Sequence, residues 1–67
     1  MKLILLSTSK DFFGVIDVCV QIDGKKEYTF AMKSQYDIEQ FCSLLPRKPG
    51  TALNYLKTNC IKDKRDG

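Results

Sequence analysis

Histidine is absent from this 67-residue sequence. Its absence removes Ser-His and Cys-His mechanisms within one chain. Acidic residues number only eight, and none recurs at a spacing that would pair a general acid with a general base on one face. No P-loop or Rossmann glycine pattern occurs. This inventory predicts a protein that is not an enzyme and that carries no cofactor.

Close cysteine pairs are also missing. The three cysteines, Cys19, Cys42 and Cys60, are far apart and form no CxxC pair. A structural zinc site normally draws its ligands from such pairs, and a fourth ligand here would have to be an Asp, a Glu or a partner's residue. Free cysteines acting as small hydrophobes, with no metal, are the plainer expectation. An odd count with no secretory signal fits a reducing compartment, so a cytoplasmic protein is predicted.

Long hydrophobic runs are lacking too. The apolar start, Leu3 to Leu6, stops at the polar Ser7 to Asp11. It is too short for a signal peptide and far too short to span a bilayer. No membrane partner is expected. No internal repeat or low-complexity tract is visible. The apolar share of 43% argues against disorder. The net charge of +3 is mildly basic and does not by itself imply nucleic acid. A chain this short makes one domain near the lower size limit for folding alone.

What the sequence does have is a hairpin, from Val15 to Met32. Ile16, Val18, Val20 and Ile22 alternate with Val15, Asp17, Cys19 and Gln21. Lys26, Tyr28, Phe30 and Met32 alternate with Glu27, Thr29 and Ala31. Period two marks strands with one face buried, and Asp23-Gly24 marks the turn between them. A two-residue loop would pair Val20 with Glu27 and put the apolar rows on opposite faces. A three-residue loop over 22–24 is therefore predicted, pairing Val18 with Tyr28 and Ile16 with Phe30, with Gly24 left-handed.

The other elements follow in order. Lys2 to Leu6 reads as a strand, buried on both faces or paired at the centre of an interface. Ser7 to Asp11 reads as a turn. Phe12-Phe13-Gly14 leads into the long strand, with Gly14 at a bend or bulge. Ser34 is an N-cap with Asp37 three residues on. Ile38, Phe41, Cys42 and Leu45 mark one helical face, and Pro46 ends that helix. The next helix begins with Thr51 as N-cap or Pro49 in its first turn. It buries Leu53, Leu56 and Cys60, with Ala52 and Tyr55 at the edge. The predicted fold is α+β: a three-stranded antiparallel meander, then two short helices on one sheet face (βββαα). Residues 1–61 form the domain, and 62–67 a charged, frayed tail.

Two surfaces are candidates for function. The first is the sheet face away from the helices, carrying Val15, Asp17, Cys19, Gln21, Glu27, Thr29 and Ala31. Leu3 and Leu5, or else Ile4 and Leu6, must join it. It reads either as a solvated face or as a surface for a protein partner or a second copy of the chain. The edge of Lys25–Lys33 could accept a partner strand, although its lysines are typical edge protection. The second candidate is a basic elbow. Arg47 and Lys48 precede Gly50 and Thr51 at a helix N-terminus, where anions are attracted. Lys57, Lys62, Lys64 and Arg65 follow, so six basic residues and one acidic residue lie between Arg47 and Arg65. The elbow reads either as a solvated loop and tail or as a phosphate-binding surface for nucleic acid.

The helix pair is not a convincing helix-turn-helix, because it would force Pro46 inside a helix. The sheet aromatics align with the buried row, unlike those of an RRM-type RNA reader. The expectation is a small non-enzymatic protein-binding module, or an inhibitor that occludes a partner's surface. A phage-type antagonist of a host nucleic-acid enzyme would fit. The alternative is a nucleic-acid-binding accessory protein. A homodimer is compatible with both.

Overall fold

The computed structural model describes residues 1–63. The elements run β1 (Leu3–Lys10), β2 (Ile16–Ile22), β3 (Lys26–Met32), α1 (Gln35–Leu44), α2 (Pro49–Asn59) and β4 (Lys62–Asp63). The fold is the α+β arrangement βββαα, with β4 as a short addition. The sheet is antiparallel in the order β1-β2-β3-β4. Both helices pack on one face of it.

The period-two pattern decides which face. Ile16, Val18, Val20, Phe30 and Met32 are buried with Ile38 and Phe41 of α1 and with Ala52, Leu53 and Leu56 of α2. Leu3 joins this cluster, and Leu5, Ile22 and Tyr28 pack at its margin. Because Leu3 and Leu5 point to the helices, Ile4 is left on the other face. So β1 is an edge strand with one buried side, and not a strand buried on both.

In the hairpin register each β2 residue meets a β3 partner two residues beyond the expected one. Val18 pairs with Phe30, Val20 with Tyr28 and Ile16 with Met32. The loop is 23–25 rather than 22–24. Asp23 and Gly24 both have positive φ, at 55° and 67°, which is the type I′ pattern. Lys25 N–H closes this turn on the Ile22 carbonyl at 3.1 Å. Lys26, not Lys25, then faces Ile22. The extra residue restores the parity that a bare two-residue loop would break, so both apolar rows stay on the helix side.

β1 also runs further than its composition suggests. Ser7, Thr8 and Ser9 pair with Cys19, Val18 and Asp17, and Lys10 pairs with Ile16. They form strand and not turn, because β2 supplies a ladder partner for each. The register shifts between Leu5 and Ser7, and Leu6 is the extra residue of this bulge. The true turn is 11–14. Asp11 Oδ1 accepts the N–H groups of Phe13 at 2.8 Å and Val15 at 2.9 Å. Asp11 N–H donates to Val15 O, and Gly14, at φ +87°, donates to Asp11 O.

Helix α1 starts as its sequence prescribes. Ser34 caps it, accepting Asp37 N–H and donating to Asp37 Oδ2 at 3.1 Å. Its buried face is Asp37, Ile38 and Phe41, with Leu44 and Leu45 partly covered. Cys42 is exposed, contrary to the expectation of a buried thiol. The same stripe closes through Leu44 without it. For α2, Pro49 and not Thr51 opens the helix, with Lys48 at the N-cap. Proline suits that first position, since its missing N–H has no intrahelical partner there anyway.

Where a frayed tail was expected from residue 62, the backbone of Lys62 and Asp63 pairs with Ala31 and Phe30. Ile61 N–H also donates to Ala31 O at 2.7 Å. Residues 64–67 lie outside the described residues.

Candidate functional site

The helices cover one side of the sheet and leave the other bare. By register, that outer face carries Ile4, Ser7 and Ser9 of β1, Asp17, Cys19 and Gln21 of β2, and Glu27, Thr29 and Ala31 of β3. Val15 precedes Ile16 and so points to the same side. Val15, Asp17, Cys19, Gln21 and Thr29 are each half-buried, as neighbours in a flat ladder are. Ala31 is buried, beside the β4 pairing, and is not part of the accessible surface. Glu27 is exposed at the far end.

The apolar part of this face lies along β1. Ile4 is 37% exposed, and Leu6, displaced by the bulge, is 43% exposed. With Cys19 and Thr29 they make a strip of small and aliphatic groups that no helix protects. The outer edge of β1 itself is guarded: the bulge interrupts it, and Lys2 and Lys10 stand at its two ends. On the opposite edge, β4 occupies the Phe30 and Ala31 positions of β3. The stretch of Lys25–Lys33 expected to accept a partner strand is therefore partly taken.

The basic elbow is placed as follows. Arg47, Lys48, Gly50 and Thr51 lie around the start of α2, and Lys48 makes no side-chain cap. Arg47, Lys48, Gly50 and Thr51 are all exposed. Lys57 lies in the last turn of α2. At a rise of about 1.5 Å per residue it sits roughly 13 Å along the axis from Lys48. Lys62 is placed by its backbone in β4, and Lys64 and Arg65 fall outside the described residues. The structure thus gathers the first four of the proposed phosphate contacts and sets Lys57 at the opposite end of the helix.

Among the described residues, no group of three or more His, Cys, Asp or Glu is arranged to hold a metal ion. Cys19, Cys42 and Cys60 are free thiols. Cys60 packs against the core and its Sγ lies 3.5 Å from Lys57 O.

The tip of the β1–β2 turn carries no periodicity signal in the sequence. Phe12 and Phe13 do not enter a strand. They stand at the tip of the β1–β2 turn, 97% and 87% exposed, with ring centroids 5.8 Å apart and nearly perpendicular. The signal for this is the spacing of Asp11 and Gly14. An Asp whose side chain caps the following amides, with Gly three residues on, closes a turn and projects whatever lies between.

Comparison with protein-family models, with curated proteins and with solved structures finds no match to the chain. Among the described residues no helix is long and apolar enough to cross a membrane.

Proposed function

We propose that this protein is a small non-enzymatic binding module that acts by covering part of another protein's surface with the outer face of its sheet. The observation that carries this reading is the bare face itself. A four-stranded sheet has helices on one side only, and on the other Ile4, Leu6, Val15, Cys19 and Thr29 leave apolar and small groups open to solvent. Apolar area left uncovered on so small a domain tends to be used. The lack of histidine supports a role in binding over one in catalysis. An inhibitor that blocks a host nucleic-acid enzyme, in the manner of small phage-borne proteins, fits this design, as does a reducing, cytoplasmic setting for its free thiols.

The test is affinity capture with the wild type beside Cys19→Arg and Thr29→Arg. Each substitution puts a long charged side chain on the outer face, away from the core. Circular dichroism should show an unchanged fold, and capture of the partner should be lost. Capture that survives both changes rejects the sheet face as the site.

The second reading, a nucleic-acid accessory protein, draws on Arg47, Lys48, Gly50 and Thr51 at the start of α2. Free backbone donors and the helix dipole favour a phosphate there. Anisotropy of labelled single-stranded RNA and double-stranded DNA tests it. Salt-sensitive binding that Arg47→Glu with Lys48→Glu weakens uniformly, with a flatter salt dependence, supports the elbow. An unchanged salt slope removes it.

A further inference from the structure

We propose that the Phe12–Phe13 turn is an interfacial anchor that inserts into the surface of an anionic lipid bilayer, with Lys10 and Lys33 set to meet the headgroups. The proposal is independent of the sheet-face reading and uses the opposite kind of geometry, a convex tip and not a face. A surface anchor needs no membrane-spanning segment. Phe12 and Phe13 are the two most exposed large apolar residues of the described chain. They sit on a turn that is internally fixed. The carboxylate of Asp11 holds the amides of Phe13 and Val15, and two backbone hydrogen bonds close the loop. The rings are thus presented with little ordering left to do on binding.

Two exposed lysines flank the tip; of the two acidic residues near it, Asp11 is tied into its own turn and Asp17 lies half-buried on the outer sheet face, one pair in from the end. Lys10 is the last residue of β1 and pairs with Ile16, which in turn pairs with Met32. Lys33 follows Met32. Both lysines therefore stand at the end of the sheet from which the turn projects, and both are exposed. The acidic residue of the tip, Asp11, directs its carboxylate to its own turn's amides. The first turn of α1 starts at this same end of β3. There Asp37 is buried beneath its cap, while Tyr36 is exposed. A tyrosine near the headgroup level suits an amphipathic ring. Apolar insertion plus a cationic rim is the two-part combination that makes reversible surface binding effective.

Other occupants fit less well. A second copy meeting tip to tip would cover four phenyl rings, roughly 600–1,000 Å² by the usual area of an aromatic side chain. That is short of the roughly 1,200 Å² of a stable interface. Single-stranded nucleic acid stacks successive bases on ring faces along a basic groove. Here one ring turns its edge to the other, and a turn tip offers no groove. A bilayer accepts a convex apolar tip without a shaped pocket.

The experiment is co-sedimentation of the full chain with vesicles of phosphatidylserine in phosphatidylcholine, beside phosphatidylcholine alone. The chain contains no Trp, so Phe12→Trp gives a single reporter of insertion. The expected results are binding to the anionic vesicles that weakens with added salt, and a shift of the reporter's emission to shorter wavelength. Phe12→Ser with Phe13→Ser should cut partitioning by more than about tenfold, and Lys10→Glu with Lys33→Glu should abolish the preference for anionic vesicles. A thermal melt matched to wild type verifies the fold of each variant, since all four side chains are exposed. Three results overturn the proposal: no vesicle binding, binding that the double serine substitution leaves intact, or binding without an emission shift. Quenching of the Phe12→Trp reporter by oligo(dT) in place of vesicle binding would overturn it in favour of base stacking. Cys19→Arg, which tests the sheet face, should partition like wild type, so the two readings fail separately.

Discussion

The phenol of Tyr55 donates to Oδ1 of Asp37 at 2.9 Å, across eighteen residues of sequence. This bond fastens the middle of α2 to the capped start of α1. Asp37 is buried, and its other oxygen is taken by the Ser34 hydroxyl. One carboxylate therefore completes a helix cap and joins two helices. A buried acceptor deprived of its donor is costly, so the pair acts as a unit.

That pairing sets an alkaline limit on stability. Tyr55 is held above the ordinary tyrosine range, first by desolvation, then by the hydrogen bond to Asp37 and that carboxylate's charge, and lastly by Tyr36. Folding thus favours the protonated phenol. Its contribution is complete below about pH 10, where the unfolded phenol is also neutral, and is lost as pH rises through the higher folded value. Urea midpoints for wild type and Tyr55→Phe should differ at neutral pH and converge in strongly alkaline buffer. Tyr36→Phe, at an exposed position, should leave the neutral midpoint unchanged. Parallel curves for wild type and Tyr55→Phe at all pH values would contradict the account.

The β2–β3 turn depends on backbone conformation and not on space. A Cβ built on Gly24 meets nothing within 4 Å, yet φ is +67°. Gly24→Ala should therefore cost about 1–2 kcal/mol, the penalty of a left-handed L-residue. Chemical denaturation measures it. Asp23 also has a positive φ, but its side chain accepts Lys2 N–H at 2.8 Å while its N–H donates to Lys2 O. Asp23→Ala should thus loosen the start of β1 as well as the turn, which amide exchange at Ile4, the first β1 residue whose N–H points to β2, would register.

The thiols should react in an order the sequence pattern does not suggest. Cys42 is exposed on α1, whereas Cys19 and Cys60 are half-buried. Timed alkylation read by peptide mass spectrometry should label Cys42 first. Cys42→Ser should be close to neutral for stability, within about 0.5 kcal/mol, as expected for an exposed position away from any cap or core contact.

Much of the fold is legible in the sequence because alternation leaves little freedom. Once Val18, Val20 and Phe30 are recognised as one face, the helices must lie over them. The hairpin register is not legible, because pairing Val18 with Tyr28 or with Phe30 keeps the same faces together. Only the turn geometry, with Lys25 as the extra residue, separates the two. Ser7 to Ser9 have the composition of a turn, but their backbone groups find partners along β2, and the ladder outweighs the weak strand preference of serine. Cys42 fits the spacing of the apolar stripe, yet Ile38, Phe41 and Leu45 make a helical face with or without it. Parity places the outer face correctly, but its emptiest point, the bulged Leu6, comes from a register shift that no residue type announces. Phe12 and Phe13 mislead because aromatics usually belong to the core.

The four phenylalanines divide this small protein into parts that hold it together and parts that do not. Phe30 and Phe41 are fully buried, while Phe12 and Phe13 are almost fully exposed. Replacing Phe41 by Ala removes the side chain that joins α1 to the sheet and leaves a cavity, at a cost of about 3–5 kcal/mol. A domain of this size has a total stability of roughly 3–10 kcal/mol at about 0.05–0.15 kcal/mol per residue. Phe41→Ala should therefore be largely unfolded or melt far below wild type, and Phe30→Ala should match it. Phe12→Ala should melt within error of wild type, since its ring loses no protein contact except the edge of Phe13. Calorimetry on the three variants decides it. A Phe12→Ala variant that unfolds would mean that the tip is packed, and would withdraw it as a surface for any partner.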